Sequence, residues 1–231
     1  MANTRELQSR MKSIKDTMKI TSAMHMIASS NLQKAKKNLE ETEPYFYTLQ
    51  IMIAGILGHM QGGIEHQYFD ERPEIKEADR KKGYIVVTAD KGLAGGYNHN
   101  VIKLAQEFLD KPGHNELFVL GQLGRSYFQK KNVDVDTSFK YTVQKPTMHR
   151  ARVIAEKMLD LFNRKELDEV HIIYTRMENA VEMVAETKQL LPLQSGAFCE
   201  VPAGIQLDEI PMLPTPKAVS YTHLRAHETK A

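Results

Sequence analysis

Leu7, Met11, Ile14, Met18, Thr21, His25, Ala28, Leu32, Ala35 and Leu39 recur at alternating steps of four and three, and only Thr21 and His25 among them are polar. That spacing is the seam of a coiled-coil helix, so the first segment predicts a long helix in need of a helical partner. Asn3, with Glu6 three residues on, predicts its N-terminal cap, and neither Pro nor Gly interrupts the run before Pro44. The pattern resumes at Tyr45, Leu49, Met52, Ile53, Ile56, Leu57 and Met60, and Gly62 and Gly63 end it. Pro44 either kinks the rod or restarts it. Continuous from Asn3 to Met60, such a rod is on the order of 85 Å long at about 1.5 Å per residue, more than a small domain needs for its own core.

The apolar pattern changes character in the middle of this helix. In 4–15 and 29–40 the apolar residues keep to one stripe, whereas Met18, Ile20, Ala23, Met24, Met26, Ile27 and Ala28 fall on nearly every side. A helix that is apolar all round is buried all round. Two accounts fit: this stretch crosses the core of its own domain, or it passes through a sleeve made by other subunits. Methionine, unbranched and adaptable, suits a contact that tolerates more than one arrangement.

Beyond a polar, charged stretch at 61–83, around Arg72-Pro73 and Arg80-Lys81-Lys82, the period shifts. Tyr84–Thr88, Leu117–Leu120 and Val170–Thr175 predict strands. Val101–Leu109, Gln122–Lys131 and Thr147–Arg164 predict helices, and Val184–Leu190 is a candidate edge strand. This alternation predicts an α/β fold: a mainly parallel, Rossmann-like sheet behind the long coiled-coil helix.

Composition narrows the function. The 231 residues are 42% hydrophobic and 26% charged, ordinary for a soluble globular chain. No window approaches the roughly 18 apolar residues of a spanning helix, and MANTRELQSR lacks the apolar region of a secretory signal, which predicts a cytoplasmic chain. Cys199 is the single cysteine and reads as a small apolar residue. The net charge is only +2, yet residues 1–40 carry eight cations against Glu6, Asp16 and Glu40, so the basic character is concentrated there.

Candidate chemistry is sparse. The turn Asp90–Asn98 joins a strand to a helix, where a nucleotide's phosphates often sit. Its glycines at 92, 95 and 96 fit neither G-x-G-x-x-G nor a P-loop, so it reads as a tight structural turn. There is no G-x-S-x-G elbow and no H-E-x-x-H, and His223 with His227 is a bare pair without further ligands. Asp160, Glu166, Asp168 and Glu169 read as a solvated helix end and turn.

Three segments resemble one family in the right order: Met11–Ala28, the turn Asp90–Val101, and Ile173-Tyr174-Thr175-Arg176 followed by Leu190-Leu191-Pro192-Leu193. Over about residues 3–219 the chain resembles the gamma subunits of rotary ATP synthases. The resemblance implies a non-catalytic rotor shaft: a long N-terminal helix wound antiparallel on a C-terminal one, with an α/β foot. It implies alpha and beta subunits around the shaft, the epsilon subunit and the c-ring at the foot, and a peripheral place on the cytoplasmic side of the cell membrane, with membrane association only through the complex. Proton or sodium flow would turn the ring and drive ATP synthesis at the beta subunits. No cofactor, metal or nucleic acid is implied.

On this reading the partner contacts are Lys15, Met18, Lys19, Ile20, Met24, Met26 and Ile27. The expected division is a shaft helix at 1–62, a connector at 63–83, the foot at 84–200, a linker at 201–219 and a tail at 220–231. Asn31 and Ala94 stand where the family commonly has Lys and Cys. After Val219 the family continues into its C-terminal shaft helix, whereas Ser220–Ala231 match nothing there, which predicts a foreign or misread terminus on a truncated shaft subunit. Two rival classes are an enzyme using the turn at 92–96, which nucleotide titration would reveal, and a nucleic-acid or membrane-surface binder using the basic helix. The apolar girdle interrupts any continuous basic stripe that the second would need.

Overall fold

The computed structural model describes residues 4–59, 66–136, 143–144, 146–179 and 182–194. Asn3, Met60, Cys199, the linker at 201–219, His223, His227 and the tail at 220–231 lie outside them. Contacts divide the chain into two units, one containing the first helix and the other spanning Gly62–Ala197.

The first unit contributes α1, Thr4–His59, a single helix of 56 residues. It runs through Pro44 without a break. Proline removes the bond to the carbonyl four residues back. Here that carbonyl belongs to Glu40, an exposed residue. Thr17 and Thr21 turn their hydroxyls onto the backbone, donating to Ser13 O at 2.8 Å and Thr17 O at 2.9 Å.

The second unit holds two short 3₁₀ turns, Gln67–Phe69 and Glu77–Asp79, then β1 Lys81–Val87, α2 Tyr97–Leu109, β2 His114–Leu120, α3 Gln122–Lys130, β3 Val135–Asp136, α4 Met148–Asn163, β4 Glu169–Met177 and β5 Met183–Leu191. The sheet order is β3-β2-β1-β4-β5. Its pairs are parallel except for the β4–β5 hairpin at one edge, so the candidate edge strand is real. β1 is buried at five of its seven positions, Lys82–Val86, because helices cover both faces, as parallel sheets require. Tyr84, Val86, Leu117, Val119 and Ile173 pack with Val101, Ala105 and Phe128 of α2 and α3. Ile85, Phe118 and Val170 pack on the other face with Met158, Leu161 and Phe162 of α4. Thr147 caps α4 by accepting from Arg150 N, in line with the predicted start of that helix.

α3 has no cap of its own. Its N-cap is Gly121, and its first amides are taken instead by the end of β1 and the turn beyond it. Gln122 N donates to Asp90 Oδ1 at 3.1 Å, Leu123 N to Ala89 O at 3.1 Å, and Gly124 N to Thr88 Oγ1 at 3.1 Å. The second oxygen of Asp90 accepts from Val143 N at 2.9 Å and Gln144 N at 3.3 Å.

The charged stretch before β1 is anchored into this unit. Arg72 is buried and donates to Leu167 O at 2.8 Å, Asp168 Oδ1 at 2.7 Å and Phe162 O at 2.8 Å, with its guanidinium 4.3 Å from the centre of the Phe162 ring. Asp168 is therefore a buried ion-pair partner, and neither it nor Glu169 is the solvated turn residue expected from sequence. Glu169 accepts from Arg80 at 2.8 Å, lies 2.9 Å from His171 Nε2 and 3.7 Å from Lys82 Nζ, which also pairs with Glu77. The His171 ring stacks on Tyr84.

Hydrogen bonding to His171, opposed by burial and aided by the Lys82 charge and the Arg80 hydrogen bond, lowers Glu169 from 4.5 to about 2. Burial, reinforced by Glu169 and Glu77, pushes the Tyr84 hydroxyl up to about 12. A carboxyl depressed in the folded state stabilises fully above its unfolded value and loses that contribution as pH falls through the folded one. Between pH 4.5 and 2, therefore, the urea midpoint of the wild-type chain is expected to fall more steeply than that of Glu169→Gln. Parallel declines would show that this carboxylate carries no acid sensitivity.

Candidate functional site

The girdle residues lie on α1, where 3.6 residues per turn set their directions. Taking Met18 as zero, Met26, Ile27, Ile20 and Met24 point at about 80°, 180°, 200° and 240°. No arc wider than about 120° lacks a large apolar side chain. Met18 is 65% exposed, Ile20 62%, Met24 55%, Met26 65% and Ile27 64%. Among the described residues the stretch thus faces outward. A complete apolar band facing outward is costly unless something else covers it.

Lys12, Lys15 and Lys19 follow at steps of three and four and make a basic stripe that leads into Met26. Lys19 pairs with Asp16 at 3.6 Å, an exposed contact of small net value. Lys12 and Lys15 have no ion pair among the described residues, so both are available to an acidic surface. All seven residues expected at the contact, Lys15, Met18, Lys19, Ile20, Met24, Met26 and Ile27, are exposed on one continuous helical segment.

The rival site lies at the carboxyl end of β1, where the strand order reverses, the usual ligand position in such sheets. A hollow of about 240 Å³ lies there, lined by Ala94, Gly96, Tyr97, Asn100, Thr175, Met183 and Ala185. It is smaller than the roughly 300–1,000 Å³ of ligand pockets, and no lysine or arginine lines it. Of the three glycines in the turn only Gly95, at φ 54°, has a left-handed backbone. Gly92 and Gly95 face open space, and the tightest contact of an added side chain at Gly96 is an ordinary 3.6 Å. The geometry is that of a turn, with neither the cations nor the close backbone approach of a phosphate cradle. Among the described residues no cluster of His, Cys, Asp and Glu is placed to hold a metal ion, and no helix is long and apolar enough to cross a membrane.

Residues 3–226 match the family model described as ATP synthase. The chain is 46% identical over 209 residues to the ATP synthase gamma chain of Ruminiclostridium cellulolyticum, covering 90% of this chain and 69% of that protein. This chain belongs to the ATP synthase gamma-chain family. It is also 45% identical to the gamma chain of Acetivibrio thermocellus, of which it covers 65%, so it spans about two thirds of the length of these gamma chains. The family match reaches past Val219, where the recognisable motifs stop, to residue 226. Among solved structures, the central stalk and c-ring of the Tetrahymena thermophila mitochondrial ATP synthase contains a chain with a TM-score of 0.53 at 21% identity, covering 88% of this chain and 85% of that one. That likeness is one of fold.

Proposed function

We propose that this chain works as the rotor shaft of an F-type ATP synthase, transmitting ring rotation to the catalytic subunits and catalysing nothing itself. The carrying observation is the exposed apolar band at Met18–Ile27 with the basic stripe running into it. Turning inside a ring of subunits requires contacts without directional hydrogen bonds. Hydrophobic contact is non-directional, and exposed ion pairs worth about 0 to 1 kcal/mol exchange readily as the shaft turns. Alpha and beta subunits are the partners of the band. The epsilon subunit and c-ring are the partners of the α/β unit, which holds the chain at the cytoplasmic face of the cell membrane without entering it. No nucleotide, metal or nucleic acid takes part in this role, and the rotation is driven by protons or sodium ions.

The test is co-purification of the full chain with alpha and beta subunits, beside Ile20→Glu/Ile27→Glu. The wild type is expected to form a complex whose ATPase activity depends on the added chain. The variant should be recovered roughly ten-fold less or worse, because two carboxylates are desolvated at the sleeve. No association, under conditions in which a full-length gamma chain assembles, would overturn the reading.

A further inference from the structure

α1 ends at His59, the described chain resumes at His66, and from there to Arg80 it holds only the two 3₁₀ turns. A stretch of this length without strand or longer helix is ordinarily where a chain is slack. This one is fastened along its length. Tyr68 O accepts from Leu193 N at 2.6 Å, and Tyr68 packs against the core beneath α4. Arg72 pairs with Asp168, and Arg80, eight positions on, pairs with Glu169. Arg80 also donates to Glu71 O at 2.9 Å and Arg72 O at 3.1 Å, so the second fastening grips the backbone of the first. The side chains of Arg80, Lys82 and Glu169 are at most 15% exposed, so these charges are little screened by salt.

The two acids are neighbours in sequence, yet they hold opposite faces of the sheet. Arg72 lies over the Phe162 ring, in the core beneath α4. Glu169 lies beside His171, whose ring stacks on Tyr84 in the core beneath α2 and α3. Both pairs sit at the amino ends of β1 and β4, which adjoin inside the sheet. A single attachment passes tension and leaves rotation free, whereas two attachments on opposite faces oppose rotation as well.

We infer that Asp168 and Glu169 form a two-point clamp that makes residues 66–80 turn as one body with the α/β unit. Torque reaching the long helix by this connection then passes through Arg72 and Arg80. The torque role rests on the rotor-shaft reading, while the clamp is a property of the α/β unit alone.

Hydrogen exchange of the full chain tests the clamp with no other subunit present. Ile75 N donates to Arg72 O at 3.1 Å and Asp79 N to Lys76 O at 2.9 Å. In Glu169→Gln these two amides should exchange roughly ten-fold faster or more, while those of Tyr84 and Val86 in β1 keep their rates. Equal acceleration of all four would make Glu169 a general stabilising residue, and no change in any would leave the clamp without weight. Either result overturns the inference. The torque role is read in the complex with alpha and beta subunits, the beta subunits fixed to a surface and a bead attached to the α/β unit. Without ATP the angular spread of the bead should be wider in Glu169→Gln than in the wild type, at equal ATPase activity when ATP is supplied. An unchanged spread beside faster exchange would overturn the torque role. Failure of the wild-type complex to form would instead remove the rotor-shaft reading, and the exchange rates would still decide the clamp.

Discussion

Arg72→Met is expected to destabilise the α/β unit by about 3–5 kcal/mol, the cost of leaving one partner of a buried ion pair without the other. The guanidinium is the point at which three acceptors meet: the carbonyl of Phe162 at the end of α4, the carbonyl of Leu167 beyond it, and the carboxylate of Asp168. Methionine fills much of the space and keeps contact with the Phe162 ring, but it donates nothing. Asp168 then retains only the amide of Lys81, at 2.9 Å. The double variant Arg72→Met/Asp168→Leu removes the orphaned charge and should recover part of the loss, giving a coupling energy of about 1–3 kcal/mol in a double-mutant cycle. Urea denaturation of all four chains, followed by far-ultraviolet circular dichroism, measures it. Additive losses would show that the two side chains do not work as a pair.

Gly121→Ala is expected to be comparably severe. Gly121 has φ 95°, and an added Cβ would lie 2.2 Å from Thr88 O and 2.7 Å from Thr88 C. Backbone strain of about 1–3 kcal/mol adds to a similar overpacking cost, because the obstructing atoms are backbone and cannot swing away. Gly92→Ala, with ordinary φ and open space, should change the unfolding free energy measured in urea by no more than about 0.5 kcal/mol. If the two alanines behaved alike, the close approach of the β1 and β2 ends would have no energetic weight.

The contrast between these glycines shows what sequence could and could not convey. The cluster at 92, 95 and 96 draws the eye, yet only Gly95 has a left-handed backbone, and none of the three is pressed by a close neighbour. Gly121 stands alone after Leu120 and carries the demand, because the demand comes from a residue 33 positions away. Periodic features were legible for the same reason in reverse. The steps of four and three in α1, the apolar run of β1 and the cap of α4 are local patterns that local chemistry generates. β3 is two residues long and exists only because β2 offers it an edge, so no pattern marks it. The Arg72–Asp168 pair spans 96 positions, and without a second sequence nothing links them. The apolar band at Met18–Ile27 was visible from residue directions alone, whereas its outward exposure needed the structure.

The borrowed cap of α3 has one more consequence, for the order in which this unit assembles and comes apart. An isolated nine-residue helix is far below the length that holds itself together in water. Its first turn, moreover, is closed by Thr88, Ala89 and Asp90, which are in position only once β1 lies in the sheet. α3 therefore has no route to early, independent formation. It condenses with the β1–β2 pair and frays only when that pair opens, so strand and helix form one cooperative foldon whose amides share a single opening event.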